Sequence, residues 1–418
     1  MYQYEWDKET GGFLLNPQTG GIIKSIRPVY FEELDLLGLS QYWTYPRCAE
    51  PLLWAEGARR YILDGALVAE TIGGGFYTEP SLIVHKSGIE LKPVNIERMV
   101  EKNSAFLEGL SQKAIAFIYE TWQTYKDRCD IAYVAFSGGK DSTVILDLVQ
   151  RALGKDDFVV VFGDTQMELD DTYLTVERII KENPSLHFYT AKSEVDPVDM
   201  WTSFGPPSRR HRWCCGVHKS APSLALLRKI SGKDSFRALA FDGVRSEESA
   251  LRATYDSITV EGKHSTQINA SPILEWNSAE VFLYIFARRL IVNPLYRKGM
   301  VRVGCVVCPM ASGWFEYLTA KLYADQIQPY LDCICTYARK LGIAENKISN
   351  YVDGGNWKAR SGGMGIEPSG TRATFENRDN ALHMEIRGAN PSMFYSWLPA
   401  LGKADVLSDS CISLMRMS

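Results

Sequence analysis

The stretch Ser137-Gly138-Gly139-Lys140-Asp141-Ser142 carries the residue types of a phosphate cradle. It follows the apolar run Ile131-Ala132-Tyr133-Val134-Ala135-Phe136. It precedes Thr143-Val144-Ile145-Leu146-Asp147-Leu148-Val149, whose apolar residues have helical spacing. The order is therefore strand, Gly-rich loop, helix N-terminus. Such a turn aims backbone N–H groups at one point, and the helix dipole favours an anion there. Gly138 and Gly139 permit positive φ and close backbone approach. Lys140 adds charge, and Ser137 and Ser142 add hydroxyl donors. The spacing is not that of a Walker A loop. The alternative is a Ser/Gly turn that only caps a helix.

A second set of residues suits thiolate chemistry. Of nine cysteines, four form an adjacent pair, Cys214-Cys215, and, with 89 residues between, Cys305-x-x-Cys308. Adjacent cysteines rarely bond to each other, because the ring is strained. A C-x-x-C pair places two thiolates on one turn, suited to a metal or an iron–sulfur cluster. Four thiolates match one [4Fe–4S] cluster, with one Zn²⁺ or buried free thiols as alternatives. Cys48, Cys129, Cys333, Cys335 and Cys411 read as ordinary buried thiols.

The loop SGGKDS resembles the pyrophosphate loop of N-type ATP pyrophosphatases, which split ATP between its α and β phosphates and put AMP on a substrate. The Cys-Cys…Cys-x-x-Cys arrangement is similar to the cluster motif of adenylyl-sulfate reductases. It also resembles that of the ATP pyrophosphatases of bacterial DNA phosphorothioation, the DndC and SspD kind. Both belong to the phosphoadenylyl-sulfate (PAPS) reductase superfamily. Three further segments carry the likeness. Val159-Val160-Val161-Phe162 reads as the next parallel strand, with Gly163-Asp164-Thr165 at its end, where ligands gather in open α/β sheets. Gly243-Val244-Arg245-Ser246-Glu247-Glu248-Ser249 resembles the Gly-x-Arg-x-x-Glu-Ser segment. Pro272-Ile273-Leu274-Glu275-Trp276 resembles the Pro-[IL]-x-x-Trp stretch, with Trp276 as packing core.

The resemblance covers about residues 110–310 and implies roles. Ser137, Gly138, Gly139, Lys140, Asp141 and Ser142 would hold the β,γ-phosphates of ATP. Asp164 and Thr165 would lie on the nucleotide side, with Asp141 or Asp164 near Mg²⁺. A strand-end Asp164 that merely caps a helix is the plainer reading. Arg245 would stabilise charge on the α-phosphate or the acceptor, its alternative being an ion pair with Glu247 or Glu248. Lys140, Asp141 and Arg245 are thus the catalytic candidates. Cys214, Cys215, Cys305 and Cys308 would bind the cluster.

Those residues need a scaffold. Over 418 residues, 45% hydrophobic and 23% charged, the chain suits two or three globular domains. The expected fold is α/β: a doubly wound parallel sheet (adenine nucleotide alpha-hydrolase-like) over 106–300. An N-terminal accessory α+β domain would occupy 1–105. It would include a hairpin of Arg60–Leu63 and Ala66–Ala69 joined by Asp64-Gly65. Residues 301–418 would be mostly helical, with a helix over 316–341 and a Gly-rich basic segment, 354–363, suited to a phosphate clamp or a surface loop.

A net charge of −4 leaves no global basic field, so nucleic-acid contact would need local patches. Arg209, Arg210, His211 and Arg212 run into Cys214, and Lys219 follows. Arg288, Arg289, Arg297, Lys298 and Arg302 precede Cys305. Cations beside thiolates offset their charge and attract anionic substrates. No apolar run approaches the roughly 18 residues of a membrane span. The start lacks signal-peptide character, so a reducing cytoplasm and no membrane partner are expected.

Three functions fit. One is adenylyl-sulfate or PAPS reduction, whose Glu-Cys-Gly-Leu-His segment is not found here. Another is ATP-dependent activation for sulfur transfer, with DNA as acceptor and a cysteine desulfurase or other sulfur donor as partner. A tRNA thiolase is its chemical neighbour. The third is a nucleotide-sensing scaffold. The expectation is the second, as a possible homodimer.

Overall fold

The apolar runs that precede polar loops pair side by side. The computed structural model describes residues 1–19, 25–262 and 266–359, plus the backbone of four strands beyond residue 371. Its central six-stranded sheet has the order Phe188–Lys192, Val159–Asp164, Ile131–Phe136, Ala238–Phe241, Gln267–Ala270, Ile258–Val260. The first five are parallel. Ile258–Val260 is an antiparallel edge.

Alternation along the strands fills both faces. Val134, Phe136, Val160, Phe162, Leu239 and Phe241 enter one core cluster. Tyr133, Val161, Ala238 and Ala240 enter another on the opposite face, with Leu227 of the helix Ala221–Ser231. Helices thus cover both faces, which makes the sheet doubly wound. On the first face lies the helix Lys140–Ala152, with Val144, Ile145, Leu148 and Val149 fully buried. Full burial of each such side chain contributes about 1.5–3 kcal/mol. The helices Ser104–Tyr125 and Ser278–Arg288 pack on it.

Chain order places the site. From Ile131–Phe136 the strands step outward to Phe188–Lys192. The chain then returns to lay Ala238–Phe241 on the other side of Ile131–Phe136. The strand order reverses between those two, and a crevice opens at their carboxyl ends.

The N-terminal region holds a hairpin, Tyr2–Asp7 with Gly12–Thr19, and a five-stranded antiparallel sheet. In that sheet Arg60–Leu63 and Ala66–Gly73 pair across the two-residue turn Asp64-Gly65. Both turn residues have positive φ, 50° and 84°, as a type I′ turn demands. Phe13, Leu15, Ile26 and Trp54 share one cluster with Val134 and Phe136. Ionic contact is direct too: Arg297 grips Glu32 at 2.6 and 3.1 Å and stacks 4.2 Å over Tyr30.

The C-terminal region is helical only in part. The expected helix over 316–341 is two, Gly313–Leu322 and Ala324–Lys340, broken at Tyr323. Helix Ile348–Asp353 and the turn Asn356–Ala359 follow. Beyond them come two antiparallel pairs, Arg372–Arg378 with Ala381–Arg387 and Lys403–Ser408 with Cys411–Met415. This corrects the helical expectation. Ala381-Leu-His-Met-Glu-Ile-Arg387 alternates apolar and polar residues, which is strand periodicity. Residues 360–363 of the Gly-rich segment and the side chain of Cys411 lie outside the described residues. No helix among the described residues is long and apolar enough to cross a membrane.

Candidate active site

The loop Ser137–Gly139 leaves the strand at the point where the sheet order reverses. Gly138 has φ 69°, and a Cβ there would lie 3.0 Å from Val176 Cγ2 and 3.2 Å from Thr172 Cγ2. Only glycine fits both constraints. Ser142 closes the turn: its hydroxyl accepts from the Ser137 N–H at 3.2 Å and donates to the Gly139 carbonyl at 2.9 Å. The Lys140 N–H donates to the Tyr296 hydroxyl at 3.0 Å. Asn293 Nδ2 donates to the Gly138 carbonyl at 3.3 Å and to Thr172 Oγ1 at 3.1 Å. The first-turn N–H groups of Asp141 and Ser142 have no acceptor within the helix, which suits an incoming phosphate.

Four charges form a chain beside the loop. Lys140 Nζ meets Asp141 Oδ2 at 2.7 Å, Arg245 Nε meets Asp141 Oδ1 at 2.8 Å, and Arg245 Nη1 meets Glu247 Oε2 at 2.7 Å. Both cationic side chains are 4% exposed. Burial pushes the Asp141 carboxyl up, but Lys140 and Arg245 outweigh it and hold the group below the usual range. Burial depresses the Lys140 ammonium. Gly243 allows this packing, since a Cβ there would sit 2.9 Å from the Asp141 backbone. Arg245 is therefore paired with both Asp141 and Glu247. The ion pair with Glu247 is present, and it is buried rather than superficial.

Asp164 does not cap the next helix, Asp170–Glu182, whose N-cap is Leu169. Its Oδ1 accepts from the Gln166 N–H and the Tyr173 hydroxyl, each at 2.8 Å. Thr165 donates to Glu168 Oε1 at 2.8 Å and lies 3.6 Å from Cys305 Sγ. The Val306 N–H donates to the Met167 carbonyl at 2.7 Å. The nucleotide-side loop and the C-x-x-C loop are therefore hydrogen-bonded to each other.

Cys214 and Cys215 lie on the short helix Trp213–Cys215, which runs into the π-turn Gly216–Ser220, a wide turn common at functional sites. A hydrogen bond with Cys215, burial, and the fields of Cys215, Cys305 and Cys308 all raise the Cys214 thiol. Burial, Glu168 and Cys308 raise Cys305. The fields of Cys305 and Cys308 thus reach Cys214, and none of the four cysteines is in a disulfide. Among the described residues no set of three His, Cys, Asp or Glu side chains is arranged to hold a metal ion. The donor chemistry fits a thiophilic group; the placed side chains do not close round a single ion.

The basic residues divide. Arg288 pairs with Asp147, Arg289 with Glu97, Arg297 with Glu32 and Lys298 with Asp171. Lys358, in the Gly-rich segment, is buried against Glu316, so it is no phosphate clamp. Arg210, His211, Arg212, Lys219 and Arg302 are exposed. Arg209 is tied down, its Nε donating to the Pro309 carbonyl at 3.2 Å. Lys219 runs past Gly163, where a Cβ would lie 3.8 Å from its Cγ, and its charge reaches Glu168 and Cys305.

Tyr296 and Asn293 brace the site without having been singled out in the sequence. Asn293-Pro294 offered one signal, since an X-Pro step marks a turn. Tyr296, 156 residues after Lys140, offered none.

The family model for the phosphoadenosine phosphosulfate reductase domain matches residues 131–311. An adenosine 5′-phosphosulfate reductase of Geobacillus sp. (strain WCH70) is 30% identical over 210 residues, 50% of this chain and 84% of that protein. An uncharacterized protein of Methanocaldococcus jannaschii is 36% identical over 264 residues, 62% of this chain and 52% of its own length. A second from the same organism is 31% identical, with 60% of its length covered. This chain thus spans little more than half of those two relatives. The solved phosphoadenylyl-sulfate reductase from Candida auris, at 20% identity, covers 48% of this chain and 93% of its own, with a TM-score of 0.36, too low to add weight.

Proposed function

We propose that this chain, which belongs to the phosphoadenosine phosphosulfate reductase family, is an ATP pyrophosphatase that adenylates a phosphate acceptor for sulfur transfer. The acceptor in this reading is the DNA backbone. The observation that carries it is the Ser137–Ser142 loop at the sheet's reversal point, with the Lys140–Asp141–Arg245 charge chain beside it.

The loop N–H groups and the Ser137 and Ser142 hydroxyls would hold the β,γ-phosphates. An acceptor oxygen attacks the α-phosphorus, the bond to the β-bridging oxygen breaks, and pyrophosphate leaves with the electron pair. Lys140 and Arg245 stabilise the charge that develops, and they are already oriented by Asp141 before substrate arrives. Mg²⁺ would be held chiefly by ATP's own phosphates, with one carboxylate from the protein. Asp164 suits that task better than Asp141, because both Asp141 oxygens are engaged by cations while Asp164 uses Oδ1 alone. Sulfur then displaces AMP from the activated acceptor. Cys214, Cys215, Cys305 and Cys308 would hold an iron–sulfur cluster, which supplies electrons or labile sulfur when bound. The exposed cations Arg210, Arg212 and Lys219 would draw the polyanionic acceptor in.

Pyrophosphate release from ATP with DNA, tRNA and adenylyl sulfate offered separately tests this. Release that depends on DNA and vanishes in Lys140→Ala supports it. Sulfite formation from adenylyl sulfate without ATP would instead establish the reductase reading, which the Geobacillus relative favours.

A further inference from the structure

The turn that leads into Cys214 carries an aromatic ladder that the ATP chemistry does not use. Phe204 ends the helix Pro197–Phe204 and is 58% exposed. Its ring lies 5.6 Å from that of Trp213, and Trp213 lies 6.3 Å from the ring of His218, which is fully buried. The three rings thus run from solvent to core. The Trp213 indole N–H donates to the Gly205 carbonyl at 3.2 Å, which ties the middle ring to the end of the helix that carries the outer one. The exposed ring is therefore held against a fixed neighbour.

The backbone between the rings is equally fixed. Pro206, Pro207 and Ser208 are buried. The Ser208 N–H donates to the His211 carbonyl at 3.1 Å, and the His211 N–H donates back to Ser208 Oγ at 2.9 Å. The Arg209 N–H donates to the Lys358 carbonyl at 2.8 Å, and its Nε donates to the Pro309 carbonyl at 3.2 Å. Pro309 directly follows Cys308, and Trp213 directly precedes Cys214. The turn is thus pinned to the residue after one cysteine pair and runs into the other.

This closed turn presents Arg210, His211 and Arg212 to solvent. Arg288, Arg289, Arg297 and Lys298 each pair with a carboxylate; among the described residues Arg210 and Arg212 do not. The acidic residues of the adjoining helix sit at its other end: Asp196 is the N-cap and Asp199 lies in the first turn. Eight residues of helix separate Asp196 from Phe204, about 12 Å of rise. An exposed ring flanked by unpaired guanidiniums suits a single nucleic-acid strand, because the ring stacks a base and the guanidiniums meet phosphates. An acidic protein segment would use the cations and leave the ring without a partner plane. An intact duplex offers phosphates but keeps its bases stacked on one another.

We propose that this rim is a platform for an unpaired nucleic-acid strand, with one nucleobase laid on Phe204 and the adjoining phosphates on Arg210 and Arg212. The proposal rests on the reading above that a nucleic acid is the acceptor, and it adds that the acceptor is engaged as an open strand. Because the turn is already closed and the ladder already stacked, little ordering remains to oppose binding.

The test is fluorescence anisotropy of the full chain with a short labelled single-stranded DNA and with the duplex of the same sequence. The single strand should bind more tightly by at least about fivefold, the contribution of one stacked base. Phe204→Leu should weaken single-strand binding roughly five- to a hundredfold, and Phe204→Trp should retain it. Duplex binding should be the same in Phe204→Leu as in wild type, which also shows that the variant is folded. Arg210→Gln combined with Arg212→Gln should lower the slope of log affinity against log salt by about 1.4, two phosphate contacts on a single strand. Equal affinity for strand and duplex, or wild-type strand binding by Phe204→Leu, would overturn the platform. So would competition by polyglutamate as effective as that by unlabelled strand at equal charge, which would mark an acidic protein as the occupant. Strand binding that depends on Phe204, with no pyrophosphate released from ATP, leaves the platform standing and sinks the ATP reading. Pyrophosphate release at sub-saturating DNA that is indifferent to Phe204→Leu does the reverse.

Discussion

Thr165 Oγ1 lies 3.6 Å from Cys305 Sγ while donating at 2.8 Å to Glu168. One hydroxyl at the end of the second sheet strand thus touches both the nucleotide-side loop and the cysteine quartet. Glu168 is buried, and burial raises its carboxyl. Thr165→Val keeps the shape and removes the donor. We expect a stability loss of about 1–3 kcal/mol, read by urea unfolding. An unchanged midpoint would mean that the hydroxyl carries no structural role.

Asp141 holds two buried cations. Asp141→Ala leaves Lys140 without its ion pair and Arg245 with Glu247 alone, and pyrophosphate release should fall by at least about a hundredfold. Asp141→Asn should restore volume but not rate. Unchanged release in both variants refutes the role. The folded carboxyl titrates below its unfolded value, so its contribution to stability is present above about pH 4 and is lost as pH falls further.

Gly138 has φ 69° and faces Val176 Cγ2 at 3.0 Å. Gly138→Ala adds backbone strain and a clash, for a cost of about 1–3 kcal/mol. ATP affinity, measured by calorimetry, should drop at least tenfold. Wild-type affinity would show that the turn does not shape the phosphate site.

Each of Cys214→Ala, Cys215→Ala, Cys305→Ala and Cys308→Ala should lower iron bound after anaerobic reconstitution. Cys129→Ala, whose thiol packs elsewhere against the main core, should not. Full iron in all four variants rules out the quartet as the cluster site.

Glu316 and Lys358 meet at 2.5 Å, with Glu316 2% exposed. Burial raises the Glu316 carboxyl to about 7, against the opposing pull of Lys358. A raised carboxyl contributes stability that is present below its unfolded value and lost as pH rises through the folded one. This pair should therefore make the fold less stable as pH climbs from about 4.5 to 7, by roughly 3 kcal/mol. Glu316→Gln should flatten that part of the stability–pH curve, as read by chemical denaturation. An unaltered slope contradicts the assignment.

The central sheet was legible because its strands are continuous apolar runs ending in loops rich in Gly, Asp and Ser. Ile131–Phe136 is found where its run predicts, and Asp64-Gly65 makes its turn. Local chemistry decides such features. What stayed hidden depends on distant packing. Nothing near Tyr296 says that its hydroxyl will meet the Lys140 N–H. Nothing near Arg245 says that Asp141, 104 residues earlier, takes its Nε. The C-terminal strands were missed for another reason: a strong helical pattern upstream was extended across a segment whose own alternation is that of a strand.

The most direct measurement is mass spectrometry of nuclease-digested host DNA, with and without this chain. Phosphorothioate dinucleotides should be present with wild type, vanish on deletion, and stay absent when only Lys140→Ala is supplied. No such dinucleotides in any strain would contradict DNA as the acceptor and turn attention to adenylyl sulfate and tRNA.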